Sequence, residues 1–177
     1  MENQARTDER DTLGESPPVL AQAIAYLAGV IDSDDFPPGE RASLRRWAPG
    51  EPPSLGFYRF AFRHLPDNWE RRGEEWMTFL TCLALMCPRP HRPDVPLGTA
   101  LAQTGYAESR LERLLATEGR ALHILLLRAA RFLRAKNAGC NCIDIADLLG
   151  IRSSAAKSRL RIARSYYHEI RTTSTPQ

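Results

Sequence analysis

No stretch of useful length in this sequence alternates apolar and polar residues with period two. Apolar residues recur instead every three or four positions, in runs interrupted by proline and glycine. That spacing gathers side chains on one face of a helix, so the chain reads as all-α. The clearest run begins at Arg120. At about 100° per residue, Leu122, Leu125, Leu126, Ala129, Phe132 and Leu133 fall in one arc. Arg120, Arg131 and Arg134 cluster opposite, with Arg128 at their edge. Ile124 and Leu127 also lie on the basic side, which predicts a helix covered more than half-way round. A last helix carries Lys157, Arg161, Arg164 and His168 at spacings of 4, 3 and 4, one straight cationic stripe. Leu160, Ala163, Tyr167 and Ile170 occupy the flank expected to pack inward. With their heads in water, Lys157, Arg161 and Arg164 are each expected to matter little to stability. Aligned cations suit a polyanion of repeating charge such as a phosphate backbone, although a solvated helix face has the same pattern.

Prolines and glycines divide the rest of the chain. Residues 1–16 are polar and acidic and are expected to be a disordered tail. Pro17 and Pro18 open a helix with Leu20, Ile24, Leu27 and Ile31 on one side, ended by Asp32 to Asp35. Pro37 and Pro38 start the next, since proline suits a first helical position. Its Leu44 and Trp47 are expected inward, and its Arg41 and Arg45 outward. Ser54 is placed to cap LGFYRFAFRHL, whose Phe57, Tyr58, Phe60 and Phe62 read as core packing. Asp67 with Glu70 has the form of a capping box for a longer helix running to Cys87. In it Trp69 and Trp76 share a face, and Gly73 is a point of kinking or division.

The segment 88–96, PRPHRPDVP, has four prolines in nine positions and suits neither a helix nor a central strand. It divides the expected architecture into two small helical bundles: an N-terminal lobe over 17–87, a proline-rich linker over 88–96, and a basic C-terminal lobe over 97–171, with a tail at 172–177. His91 in the linker is expected to face solvent. Farther on, CIDIADLLG forms a short helix closed by Gly150, and Ser153 or Ser154 caps the last one.

Charge is distributed unevenly. Residues 1–36 hold 8 acids and 2 bases, whereas residues 120–177 hold 3 acids and 11 bases. A basic partner surface is therefore concentrated toward the C-terminal end. No apolar run has membrane length and the N-terminus lacks a signal-peptide pattern, so a cytoplasmic protein with no membrane role is expected. Cys82, Cys87, Cys140 and Cys142 are spaced poorly for a zinc knuckle and are expected to be reduced packing residues. No phosphate-cradling glycine loop, nucleophile elbow or HExxH motif is present. His64, His91, His123 and His168 are scattered. Neither an enzyme, a metal nor a cofactor is expected.

The segment DIADLLGIRSSAAKSRLRIAR resembles the helix-turn-helix of sigma-factor and response-regulator output modules: a short helix, a glycine turn and a basic helix able to enter a major groove. That resemblance implies a DNA-binding transcription regulator with a region-4-like C-terminus. A second resemblance runs from about Val19 to Arg171. GERASLRRWAPG, GFYRFAFRHLP, Trp69 with Trp76 and Leu80, PLGTALAQTGYAESRLERLLATEGRAL and RLRIARSYY are similar in order and spacing to the CasB-type small subunit of the type I-E CRISPR Cascade complex. Ile162 stands where family members often have tryptophan.

This second resemblance implies an all-helical subunit without an active site. Copies would lie head to tail against crRNA-bound backbone subunits and the large subunit. A basic groove would hold the displaced single-stranded non-target DNA beside the crRNA–target duplex backbone, and so stabilise the R-loop. Such contacts tip a nearly balanced duplex exchange. The family's groove positions correspond to Arg71, which has an equally basic neighbour in Arg72, and to Arg120, Arg128, Lys157 and Arg159. Arg159 points about 160° away from the Lys157 stripe. With Arg131, Arg161 and Arg164 from the basic faces, these are the candidate nucleic-acid contacts.

Overall fold

The computed structural model describes residues 17–151 and 155–173. Residues 1–16, the Ser153 and Ser154 capping positions, and residues 174–177 lie outside them. The chain is all-α, as its periodicity predicts. The described helices are α1 (Pro17–Asp32), α2 (Pro38–Arg46), α3 (Leu55–His64), α4 (Gly73–Met86), α5 (Leu97–Gln103), α6 (Glu108–Ala116), α7 (Gly119–Ala135), α8 (Cys142–Leu148) and α9 (Ala155–Thr173).

Helix α4 is the axis of the molecule. Trp76 through Ala84 are all buried, as is Met86. A helix apolar all round needs neighbours on every side, and α1, α2, α7 and α8 all pack against it. Apolar residues from both sides of segment 88–96 join one buried cluster. The segment itself is extended. Its Arg92 N–H donates to Cys140 O at 2.8 Å, and Pro90 O accepts from Cys140 N at 3.3 Å. His91 is half-buried rather than exposed, because its Nδ1 accepts the Cys142 N–H at 3.2 Å.

Ser54 caps α3 as expected, accepting the Phe57 N–H at 3.2 Å. The capping box at Asp67 does not form. A 3-10 turn at Trp69–Arg72 precedes α4, and the helix divides at Gly73. Arg45 is exposed as expected and Arg41 is half-buried, yet both guanidiniums are bonded to backbone carbonyls. The Arg41 guanidinium donates to Ile31 O at 2.9 Å and Ser33 O at 2.6 Å, and Arg45 Nε donates to Ala84 O at 2.8 Å. Carbonyls at a helix C-terminus lack intrahelical donors and carry negative partial charge, so the two guanidiniums cap the ends of α1 and α4.

Helix α7 is covered on its core face, but on the basic side Ile124 stays exposed. Leu122, Leu126, Ala129 and Leu133 are buried, and so is Leu127 from the basic side. In α9 the expected phase is wrong. Leu160 and Tyr167 are exposed, while Ser158, Ile162 and Tyr166 are buried. The buried face is small and partly polar because it meets α5 at close range. A Cβ built on Gly98 would overlap Ile162 O and Ser165 Oγ and sit 2.8 Å from Tyr166 N. Tyr166 then spans the crossing, its hydroxyl donating to Tyr106 O at 2.5 Å.

Candidate nucleic-acid interface

Polar contacts fix two of the candidate cations, Arg159 and Arg120, near the start of α7. Arg159, in the first turns of α9, donates to Glu118 Oε1 at 3.1 Å and to Thr117 O at 3.2 Å. That contact seats α9 against the junction of α6 and α7, two residues before Arg120. Arg120 Nε in turn donates to Glu74 Oε1 at 3.2 Å, tying the start of α7 to the start of α4. Glu74 follows the 3-10 turn that carries Arg71 and Arg72. The Arg72 guanidinium lies 3.4 Å from where a Cβ on Gly150 would stand, at the turn between α8 and α9. Arg71 and Arg72 line a cavity of about 530 Å³ with Trp76 and Ile151. Arg120 and Arg159 are therefore both held near the start of α7, Arg71 lies on the 3-10 turn that precedes Glu74, and Lys157 stands two residues before Arg159 on a different face of α9. Arg128 and Arg131 lie roughly 12 and 17 Å farther along α7, and Arg164 about 10 Å farther along α9.

The eight candidates differ in what surrounds them. Arg120, Arg159 and Arg161 are in ion pairs. No described acid stands at ion-pair distance from Arg71, Arg128, Arg131, Lys157 or Arg164, and all five are exposed. The Arg110 and Arg128 guanidiniums both act on Tyr106, where burial raises the phenol pKa and the two cations partly oppose it. Arg110, a cation that helical periodicity did not bring forward, thus acts on the same phenol as Arg128.

Arg161 corrects the expectation of a wet, dispensable stripe. Its Nε and Nη2 donate to Asp144 Oδ1 at 2.9 and 2.6 Å, and Nη2 donates to Asp147 Oδ2 at 2.8 Å. The two aspartate side chains are only 5% and 1% exposed. Asp144 Oδ2 accepts the Leu97 N–H at 2.8 Å, at the first residue of α5. One carboxylate thus joins α5, α8 and α9. The clue in the sequence is a pair of acids three apart on a short, otherwise apolar helix, where a buried carboxylate needs a cation.

His123 was also missed. It is buried on α7, with Nδ1 2.9 Å from Thr78 Oγ1 and 3.9 Å from Glu74 Oε1. Burial lowers its pKa, and Glu74 and Glu75 partly oppose that shift. The four cysteines are buried, and burial raises the thiols of Cys82, Cys87 and Cys142. Among the described residues no group of three His, Cys, Asp or Glu side chains is placed to hold a metal, and no helix is long and apolar enough to cross a membrane.

The sequence model of the family described as CRISPR-associated protein Cse2 matches residues 40–167. The chain belongs to the Cse2 family. Cse2 membership makes it a small subunit of the type I-E CRISPR Cascade complex. The span includes all eight candidate cations. No curated protein matches the chain. The crystal structure of CasB from Thermus thermophilus superposes with a TM-score of 0.65 at 23% identity, covering 86% of this chain and 99% of that one. This likeness supports the all-α Cse2 fold.

Proposed function

We propose that this Cse2-family chain is a non-catalytic cytoplasmic subunit that holds the displaced non-target DNA strand and stabilises the R-loop. Copies of the chain lie head to tail in the complex, against the crRNA-bound backbone subunits and the large subunit. The observation that carries the reading is the set of five exposed cations with no described acid at ion-pair distance, beside a neighbourhood in which Arg120 and Arg159 are fixed by carboxylates. Fixed guanidiniums and exposed cations together suit a backbone whose charges repeat, and need no base-specific contact. The helix-turn-helix reading has less support. The middle cation of its second helix, Arg161, is bonded to acids of its first.

The test is chemical footprinting of the displaced strand in the assembled complex. With Arg71, Lys157 and Arg164 changed together to glutamine, the displaced strand should lose protection and the opened target should close faster. Unchanged protection in a fully assembled complex would remove this assignment. A sequence-specific footprint of the isolated protein would favour the regulator.

A further inference from the structure

Away from that neighbourhood, at the opposite end of α7, the structure holds a second cationic feature. A cleft of about 570 Å³ opens between α1, segment 88–92 and the end of α7. Arg89, Arg92, Arg134, His91 and Asn137 line it, with Asp32 as the sole acid among the described residues of its lining.

The cleft is a built feature of the fold. Its floor depends on Gly139, where an added Cβ would lie 2.5 Å from Arg89 O and 3.1 Å from Pro90 O. Only a residue without a side chain lets segment 88–92 lie so close to the turn after α7. Pro90 O takes donors from Cys140 N and Cys142 Sγ, each at 3.3 Å, which fixes the wall. Arg89 adopts φ 54°, an uncommon conformation for a residue with a Cβ, held by its N–H donating to Asp32 Oδ2 at 3.0 Å. Asp32 is thus partly satisfied from within. Arg134 is oriented by Asn137, its Nη1 donating to Asn137 Oδ1 at 3.1 Å. Because His91 Nδ1 accepts the Cys142 N–H, its Nε2 is the protonated nitrogen and a donor. The cleft therefore presents donors and three guanidiniums against one carboxylate.

The α7 helix connects it to the candidate interface. Arg120, Arg131 and Arg134 lie within about 60° of one another around α7, and Arg120 and Arg134 are roughly 21 Å apart along the axis. We propose that the cleft is a second phosphodiester-binding site, which takes the backbone of the same single strand after it has run along the basic face of α7. The proposal rests on the strand-holding reading above and extends it to Arg89, Arg92 and Arg134.

The test measures binding of a fluorescent oligothymidine of about 20 nucleotides, longer than a single module covers, across a salt series. Two variants of the full chain are compared: R89Q/R92Q/R134Q in the cleft, and R71Q/K157Q/R164Q among the exposed cations of the first reading. Thermal melting checks that both fold. The single variant R92Q serves as the arm least able to disturb folding, since Arg92 is exposed and bonded only loosely, at 3.5 Å, to Asp94. Loss of three phosphate contacts should flatten the slope of log K against log salt by about 2, and R92Q by less than one. A cleft variant that binds like the parent, while the other variant weakens, overturns the cleft and leaves the first reading standing. If neither variant weakens binding, both fall. A cleft variant with unaltered DNA binding that no longer joins its complex marks the cleft as a protein-docking surface, which also overturns the proposal.

Discussion

Arg161 Nη2 stands 2.6 Å from Asp144 Oδ1 and 2.8 Å from Asp147 Oδ2, so one guanidinium fastens α9 to two buried carboxylates of α8. Removing that cation leaves the buried Asp144 carboxylate with the Leu97 N–H but without its guanidinium. Arg161→Ala should therefore destabilise the protein by about 3 kcal/mol, near the low end for broken buried pairs because the arginine itself is half exposed. Lys157→Ala and Arg164→Ala, on the same stripe, should each stay within about 0.5 kcal/mol. Urea denaturation of the three single variants separates these outcomes. Equal, small effects at all three would mean that the α8 carboxylates do not depend on Arg161.

The crossing of α5 and α9 gives a second test. Alanine favours a helix more than glycine does, yet Gly98→Ala places a methyl group into the α9 backbone at Ile162 O and Tyr166 N. Overpacking of this kind costs about 1–3 kcal/mol. The melting temperature should fall by several degrees. A rise would show that the two helices part easily.

His123 sets a pH response. Its pKa is lowered by burial, so the unfolded chain binds this proton more tightly than the folded one. Its contribution to stability is present above the ordinary histidine value near 6.5 and is lost as pH falls from there through the folded pKa. Glu74 and Glu75 restrain the shift, and Arg120 adds to it. Denaturation midpoints measured between about pH 7.5 and 5 should decline, and His123→Gln should flatten that decline. A variant with the parental slope would assign the acid sensitivity to His64 and His91, whose pKa values burial also lowers.

The thiols supply a fourth test. Burial pushes Cys87 up to about 12 and raises Cys82 and Cys142 as well, so little thiolate is present at neutral pH. A thiol reagent at about pH 8 should react slowly with the native protein and fully after denaturation. Metal analysis of the purified protein should find no stoichiometric zinc. Rapid native labelling at Cys140 or Cys142 would mean that segment 88–92 opens readily.

These residues also show where sequence reasoning stops. Helical period identified α7 correctly because its core face is made of leucine, and leucine marks burial wherever it repeats. The same reasoning misplaced the face of α9, since burial there goes to Ser158, Ile162 and Tyr166 against a glycine. The close approach is made by Gly98 on the partner helix, and a glycine there leaves no signature in the sequence of α9. Arg41 and Arg45 have the look of solvated charges. Their acceptors are backbone carbonyls at the ends of other helices, which no side-chain pattern encodes. Of the candidate cations, the sequence placed them on helices but could not say which face acids. That depends on Glu74, Glu118, Asp144 and Asp147, each remote in the chain from its arginine or on another helix.

The meeting of α5 with α9 has a consequence for biosynthesis. Gly98 leaves the ribosome more than 60 residues before Ile162 and Tyr166 follow. At about 5–20 residues per second, the apolar flank of α5 waits roughly 3–13 s for the helix that covers it. During that interval Leu97 and Leu101, both buried in the finished protein, lie bare on a nascent chain whose N-terminal helices can already have packed. Assembly of the C-terminal half is thus timed by translation of its last helix.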